Sequence, residues 1–342
     1  MHRFRSALRK YPDSTIIATG CACRIHPEKF SEAHKVIDNI QRNLIIKGIL
    51  PEPNKSRYFL KIEDGCNENC SYCIVSKVRD KIESKGMYEV RHEIDWAKSL
   101  GYKEIVLVGA NIGLYGLDLG LDLRDLLRSI STIPDLPRIR LSSIEPRFLD
   151  AELIKSLKDL PMCRHFHIPI QSADDYVLSQ MRRCYNVLYL ENMFELISKN
   201  FNDVAIGADL IVGFPGEREK EFQNTHAFVE AQPITHLHVF PYSPRPGTQA
   251  YELGDPVSSQ EKKQRLWDLK RMISKKNYEF RRTLDGKQFD IIIENDKNNI
   301  CGLTDNYIRI FIEENYSNNR FLRAEITRVA SDKTFGRVVK VY

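Results

Sequence analysis

The 342-residue chain has no apolar run approaching the ~20 residues needed to cross a bilayer, and its mean hydropathy is −0.39; no membrane partner is expected. Cysteine is sparse for this length, eight in all, which excludes a disulfide scaffold. Internal repeats and low-complexity segments are absent, so solenoid and tail-like architectures are set aside. Charge of one sign is barely in excess, +5 from 51 basic and 46 acidic residues, and this alone is weak support for a nucleic-acid partner. No export signal is expected in these residues either. Arg3, Arg5, Arg9 and Lys10 precede Ile16-Ile-Ala-Thr-Gly-Cys21, faintly like a lipoprotein cleavage site, but an apolar stretch of about four residues is shorter than the about 7–15 of a signal h-region. These features predict a cytoplasmic protein.

What is present is an alternation. From Tyr58 to about His238, short β-rich runs alternate with longer helical patterns, as in parallel strands joined by helical crossovers. Strands are predicted at 58–63, 104–109, 138–142, 165–170, 204–211 and 236–240, with helices at 88–100, 123–130, 151–157, 188–198 and 219–229. Six such strands predict an α/β fold, a partial six-stranded parallel β/α barrel whose site lies at the carboxyl ends of the strands. Ser258–Arg282 reads as one long basic helix, with Ser258 or Ser259 as its N-cap, Glu261 in its first turn and a stop at Asp285-Gly286. Beyond it the pattern has period two at 289–293, 307–312, 321–329 and 335–341, predicting a small all-β domain. The expected division is residues 1–50, 51–282 and 283–342. In the last of these, residues 315–342 carry Arg320, Arg323, Arg328, Lys333, Arg337 and Lys340 against Glu325 and Asp332, near Tyr307, Tyr316 and Phe321. Such a segment could contact phosphates and stack bases, or be an ordinary solvated face.

Three of the eight cysteines crowd into eight positions directly after the first predicted strand: Cys66, Cys70 and Cys73 in a C-x3-C-x2-C array. A structural zinc site takes four ligands, usually in two C-x2-C knuckles, and ordinary iron–sulfur clusters also take four thiolates. A three-thiolate array leaves one iron of a [4Fe–4S] cluster open. That iron can chelate the amino and carboxylate groups of S-adenosylmethionine (SAM), and reduction then breaks the S–C5′ bond to give a 5′-deoxyadenosyl radical. Tyr72 could stack on the adenine. The competing reading is a zinc site with a distant fourth ligand, which would make the chain a non-enzymatic zinc and RNA binder.

Other segments fall where a cofactor pocket would be lined. Gly109, Asn111 and Gly113 follow strand two, the glycines allowing close backbone approach and Asn111 offering donor and acceptor. Glu145 follows strand three and could accept from a ribose or ammonium group. Gln171 ends strand four on the same face as His167, a histidine equally readable as a satisfied core residue. Asp209, Gly213 and Gly216 end strand five, where Glu217 has a plainer reading as a helix cap, and Arg245 sits in a proline-braced loop after strand six.

Taken together, these segments resemble the methylthiotransferase family of radical-SAM enzymes over about 320 residues, nearest to the branch acting on threonylcarbamoyl-adenosine in tRNA. Leu141–Pro146, Phe240–Thr248 and Gly302–Arg309 carry the likeness to that branch. The resemblance implies methylthiolation at adenine C2 beside the anticodon, with the tRNA anticodon arm as substrate. It implies one SAM for the methyl group and another for the radical, a reductant such as flavodoxin or ferredoxin, and a C-terminal RNA-binding TRAM domain. Cys66, Cys70 and Cys73 carry over as cluster ligands; Tyr72, Asn111, Glu145, Gln171, Arg183 and Asp209 would line the SAM pocket.

The departure is at the amino terminus, where family members carry a longer domain with three cysteines for a second [4Fe–4S] cluster. Residues 1–50 read as a remnant of that domain, with Arg3–Lys10 the end of a helix and Ser14–Cys21 its last strand. Cys21 matches the third auxiliary ligand; the other two have no counterpart, and Cys23 does not fit them, so the ligand set is incomplete. Two explanations stand: an upstream start was missed or removed, or this is a shortened chain that cleaves SAM without inserting sulfur.

Overall fold

The computed structural model describes residues 2–37, 56–296, 299–314, 316–317 and 320–342. In chain order the strands are β1 (Ile17–Thr19), β2 (Lys35–Ile37), β3 (Tyr58–Lys61), β4 (Glu63–Asp64), β5 (Glu83–Ser84), β6 (Glu104–Val108), β7 (Arg138–Leu141), β8 (His165–Gln171), β9 (Ala205–Val212) and β10 (His236–Pro241), followed by β11 (Gln288–Asp296), β12 (Asn299–Thr304), β13 (Arg309–Phe311), β14 (Phe321–Val329) and β15 (Thr334–Val341).

Strands β3, β6 and β7 pair in parallel, as do β8, β9 and β10. The two triplets meet at a thin seam, the parallel bridges Ile139↔Met162 and Ser143↔His167. The result is the expected six parallel strands in chain order, curved into a partial barrel. Alternation along each strand sends Ile105, Leu107, Ile139, Leu141, Phe166, Ile168, Ile206, Ala208 and Leu210 outward into one core under the helices. The opposite, concave face receives Arg140, His165, His167, Asp209 and His238.

The crossover helices begin where short polar side chains can satisfy free backbone N–H groups. Asp122 accepts from Asp125 N, Asp150 from Leu153 N, Asp174 from Val177 N, Asn186 from Tyr189 N and Ser258 from Glu261 N. Ser258 and Glu261 complete a capping box, and the helix Ser259–Arg282 runs its predicted length. Its basic residues are not all solvated: Lys262, Arg265 and Arg281 are buried. Arg281 donates to the carbonyls of Ala330, Ser331 and Lys333, tying this helix to the C-terminal strands.

Those strands close into a five-stranded barrel, β11-β12-β13-β15-β14, around Phe289, Ile291, Ile293, Ile310, Leu322 and Ile326. It seats beneath the amino ends of the parallel strands. There Glu104, fully buried, takes Arg138 at 2.6 Å and Arg140 at 2.7 Å, with Arg57 at 3.9 Å. The same two guanidiniums donate onward to the carbonyls of Asp290, Leu303 and Thr304. Burial alone would raise the Glu104 carboxyl, but Arg138 and Arg140 outweigh it and hold it down at about 2.

Several expectations shift. The run 58–63 divides at Ile62, because Glu63–Asp64 leaves the parallel sheet to pair antiparallel with Glu83–Ser84. Strand β12 breaks the expected pattern, and Tyr307, expected in a strand, turns at φ 66°. The expected strand 14–21 is only Ile17–Thr19, since Cys21 opens a helix, Cys21–Ile25. The expected remnant 1–50 extends past Ile37 outside the described residues. Glu217 is no helix cap: it is buried, accepting from Gly213 N and from Arg265 at 2.9 Å.

Candidate active site

The three thiols are carried by the loop between β4 and the short helix Val75–Val78. Gly65 turns the chain into this loop at φ +99°, where a Cβ would fall 1.8 Å from the Lys81 carbonyl oxygen, so only glycine fits. Cys66 N–H then donates to Arg79 O at 2.8 Å, Cys73 N–H to Cys70 O at 3.1 Å, and Val75 N–H to Cys73 Sγ at 3.4 Å. Ser71 clamps the loop to its neighbours, donating to Met181 O and Gln180 O and accepting from Ala250 N.

All three cysteines are free and half-buried. Burial, helped by the nearby Cys73 and Cys70, pushes the Cys66 thiol up to about 11. The three sulfurs are near enough to feel one another's charge. They do not converge as tightly as a single ion requires: a tetrahedral zinc with bonds of about 2.3 Å holds its sulfurs under about 4 Å apart. Among the described residues a set of ligand atoms all within 4.8 Å of one another occurs at His167, Asp209 and His238, and not at these thiols. The spread suits a multi-iron cluster better than zinc.

From Cys70 a chain of polar contacts crosses the carboxyl ends of the strands. Arg183, on the turn before the helix Val187–Asn200, donates from Nη1 to Cys70 Sγ at 3.0 Å and pairs through Nη2 with Glu145 Oε1 at 3.1 Å. Burial raises the Cys70 thiol while this guanidinium opposes the rise. Glu145 Oε2 accepts from Asn111 Nδ2 at 3.2 Å, and the Asn111 backbone N–H donates to Glu63 Oε2 at 2.8 Å. Burial lifts the Glu63 carboxyl to about 7, and Glu63 Oε1 is buried without a hydrogen-bond partner among the described residues. An orphaned carboxylate oxygen on the strand that leads into the thiol loop suits a cationic donor, so the residues present fit an iron–sulfur cluster with a zwitterionic amino-acid ligand such as SAM.

The structure thus brings together Cys66, Cys70, Cys73, Asn111, Glu145 and Arg183. Tyr72 joins them, its ring edge-on to Phe214 at 6.5 Å and its hydroxyl 3.4 Å from Arg183 Nη1. Gln171 ends β8 at φ 66°, half-buried, after a register shift from Ile168. Asp209 stands apart on the concave face, 2.9 Å from His167 Nε2 and 3.2 Å from His238 Nδ1. Cys21 opens the helix Cys21–Ile25, and its thiol helps to raise the pKa of Arg79, whose carbonyl holds Cys66 and whose guanidinium pairs with Asp64 at 2.9 Å. Sequence reasoning passed over Glu63, Arg79 and His238. Glu63 carried a signal, as an acidic residue at the end of a strand where its neighbours are core; the other two become legible only when their strands and loops are laid side by side.

The concave face, the carboxyl-end thiol loop and the parallel strands define a radical-SAM protein. The sequence pattern of the Radical SAM superfamily matches residues 60–229. The chain is 32% identical over 336 residues to the threonylcarbamoyladenosine tRNA methylthiotransferase MtaB of Aquifex aeolicus, covering 89% of this chain and 81% of that relative. It is also 32% identical over 332 residues to the tRNA-2-methylthio-N(6)-dimethylallyladenosine synthase of Dictyoglomus thermophilum, covering 91% and 76%. Among solved structures, the cobalamin-dependent S-adenosylmethionine radical enzyme OxsB superposes with a TM-score of 0.51 at 13% identity, over 80% of this chain and 45% of that one, a likeness of fold. The chain belongs to the methylthiotransferase family of radical-SAM enzymes. A [4Fe–4S] cluster and SAM are its family cofactors, and among the described residues no helix is long and apolar enough to cross a membrane.

Proposed function

We propose that this protein is a cytoplasmic tRNA methylthiotransferase that exchanges the C2 hydrogen of N6-threonylcarbamoyladenosine, next to the anticodon, for a methylthio group. The observation that carries the reading is the relay Cys70–Arg183–Glu145–Asn111–Glu63 at the mouth of a concave barrel, in a chain 32% identical to an enzyme named for that nucleoside.

Cys66, Cys70 and Cys73 hold the cluster, which with SAM supplies the hydrogen-abstracting radical. Glu63 and Glu145 orient the ammonium of SAM, Arg183 balances the charge of the Cys70 thiolate, Tyr72 borders the adenine, and Gln171 closes the pocket. Cys21 would contribute one ligand to a second cluster, a role that rests on its match to the family's third auxiliary cysteine. The division into residues 1–50, 51–282 and 283–342 gives the C-terminal barrel the part of an RNA-binding TRAM domain, and a flavodoxin- or ferredoxin-type protein supplies electrons.

The test is anaerobic reconstitution with iron and sulfide, then incubation with SAM, reductant and threonylcarbamoylated tRNA, and mass spectrometry of the nucleosides. A gain of one methylthio group on the target adenosine, abolished by Cys70→Ala, supports the reading. SAM cleavage with no change in the nucleoside, in a chain carrying any upstream cysteines, overturns it.

A further inference from the structure

The concave wall opposite the thiol loop holds a polar group outside the relay described above. His167 on β8, Asp209 on β9 and His238 on β10 converge across three adjacent strands, with both imidazoles on the same oxygen, Asp209 Oδ1, at 2.9 and 3.2 Å. Gly207 makes room: a Cβ there would approach His167 Nδ1 to 3.1 Å. His167 and Asp209 are mostly buried, whereas the His238 side chain is 63% exposed. Two residues along the same face, Phe240 is also exposed, its ring 6.5 Å from that of His238. One layer deeper the wall is closed: His165 stacks on Tyr307 at 4.2 Å, and His236 is bonded to Thr235 and Asn277.

The height of this group along the strands locates its ligand. Ser143 bridges His167, and Glu145 lies two residues beyond Ser143. The triad therefore sits about 7 Å, two residues of strand, below the Glu145–Arg183 layer at the thiols. In a purine, C2 and the C6 that bears N6 both flank N1 on one edge, so with C2 at the thiol loop the chain carried on N6 leaves that same edge and can extend along this wall. An exposed phenyl ring is a platform on which such a base stacks.

A metal ion fits this triad less well than a hydrogen-bonded ligand. Metal-bound imidazoles anchor their second nitrogen on a carboxylate, a carbonyl or water, and neither His167 Nδ1 nor His238 Nε2 has a protein anchor among the described contacts. With Nδ1 committed to Asp209, His238 turns Nε2 outward, able to accept from an N–H or O–H and, when protonated, to donate to a carboxylate.

We infer that His238, braced by Asp209 and His167 and flanked by Phe240, is the specificity-determining element that reads a polar, carboxylate-bearing N6 substituent on the target adenine. This rests on the proposed tRNA substrate and deepens it. Relatives named for a polar and for an apolar N6 group lie at similar identity, so few residues need separate the two substrates, and a polar wall at this height is suited to the polar one.

The test measures binding of two anticodon stem-loop RNAs, one with threonylcarbamoyl-adenosine and one with unmodified adenosine, to the reconstituted full chain and to its His238→Ala, His238→Gln and Phe240→Ala variants. Each variant is read as the affinity ratio between the two RNAs, so a misfolded fraction cancels. The wild type is expected to prefer the modified RNA about tenfold, which corresponds to about 1.4 kcal/mol. H238A brings the ratio to within twofold of one, and H238Q, whose amide reaches the Nε2 position, recovers much of it. F240A weakens both RNAs without changing their ratio. A discriminating wild type whose preference survives in H238A overturns the assignment and leaves the substrate reading intact. A wild type indifferent to the substituent overturns both. One equivalent of zinc or iron beyond the clusters, lost in H238A, replaces the assignment with a metal site.

Discussion

Replacing Glu104 by alanine tests how the two folded units are held together. Its carboxylate is fully buried and is the shared acceptor of Arg138 and Arg140, which are themselves buried and which carry the hydrogen bonds to Asp290, Leu303 and Thr304 in the C-terminal barrel. Removing one partner from such a group strands the others and costs about 3–5 kcal/mol. The acid side gives an independent figure. A carboxyl held at about 2 against an ordinary 4.5 contributes about 3 kcal/mol. Because the folded value is depressed, that stability is complete above pH 4.5 and is lost as the pH falls from there towards 2. Urea unfolding at pH 7 should therefore show Glu104→Ala about 3–5 kcal/mol less stable than wild type, with Glu104→Gln between the two. The wild type should lose stability below pH 4.5 more steeply than the alanine variant. Limited proteolysis should release the C-terminal barrel sooner from the variant. A variant within about 0.5 kcal/mol of wild type, the scale of an ordinary surface substitution, or an unchanged acid slope, refutes the account of this interface.

Cys66→Ala, Cys70→Ala and Cys73→Ala should each lower bound iron by about four per chain and abolish formation of 5′-deoxyadenosine from SAM; iron retained with all three changed would remove these thiols from the cluster. Arg183→Met should slow SAM cleavage at least tenfold by deleting the contacts to Cys70 and Glu145, while Arg183→Lys, keeping the charge but not the two-pronged geometry, lies between; equal rates for Met and wild type count against the relay. Glu63 has the opposite pH signature to Glu104. Its folded carboxyl is raised to about 7, so its favourable contribution is complete below pH 4.5 and is lost as pH rises through 7. Glu63→Gln should accordingly raise the melting temperature at pH 8 relative to pH 5, and an equal effect at both would show that the group does not titrate between them.

Much was legible in the sequence because it was written locally. The C-x3-C-x2-C spacing names a three-thiolate site without any partner elsewhere, and the six strands follow from short β-rich runs alternating with helical patterns. Ser258 with Glu261 announced the long helix to within a residue. Other features resisted because their signal was not local. Strand β12 contains Gly302, which packs on Ile291 and so reads as a turn residue until its neighbour is known. The helix Ser259–Arg282 reads as basic, but only the fold shows Lys262, Arg265 and Arg281 turned inward onto carbonyls and the buried Glu217 carboxylate.

By itself, then, the sequence determined the class of chemistry, through spacing, and the layered plan, through periodicity; both are properties of neighbours along the chain. The tertiary structure alone decided which side chains share a partner. The Glu63–Cys70 segment, Asn111, Glu145 and Arg183 are far apart in sequence, as are His167, Asp209 and His238, and each set meets only because helical crossovers return successive strands side by side in parallel with fixed register. Register places side chains of different strands at one height on one face. For that reason the relay at the thiols, the histidine wall beneath it and the Glu104 junction to the C-terminal barrel are facts of packing.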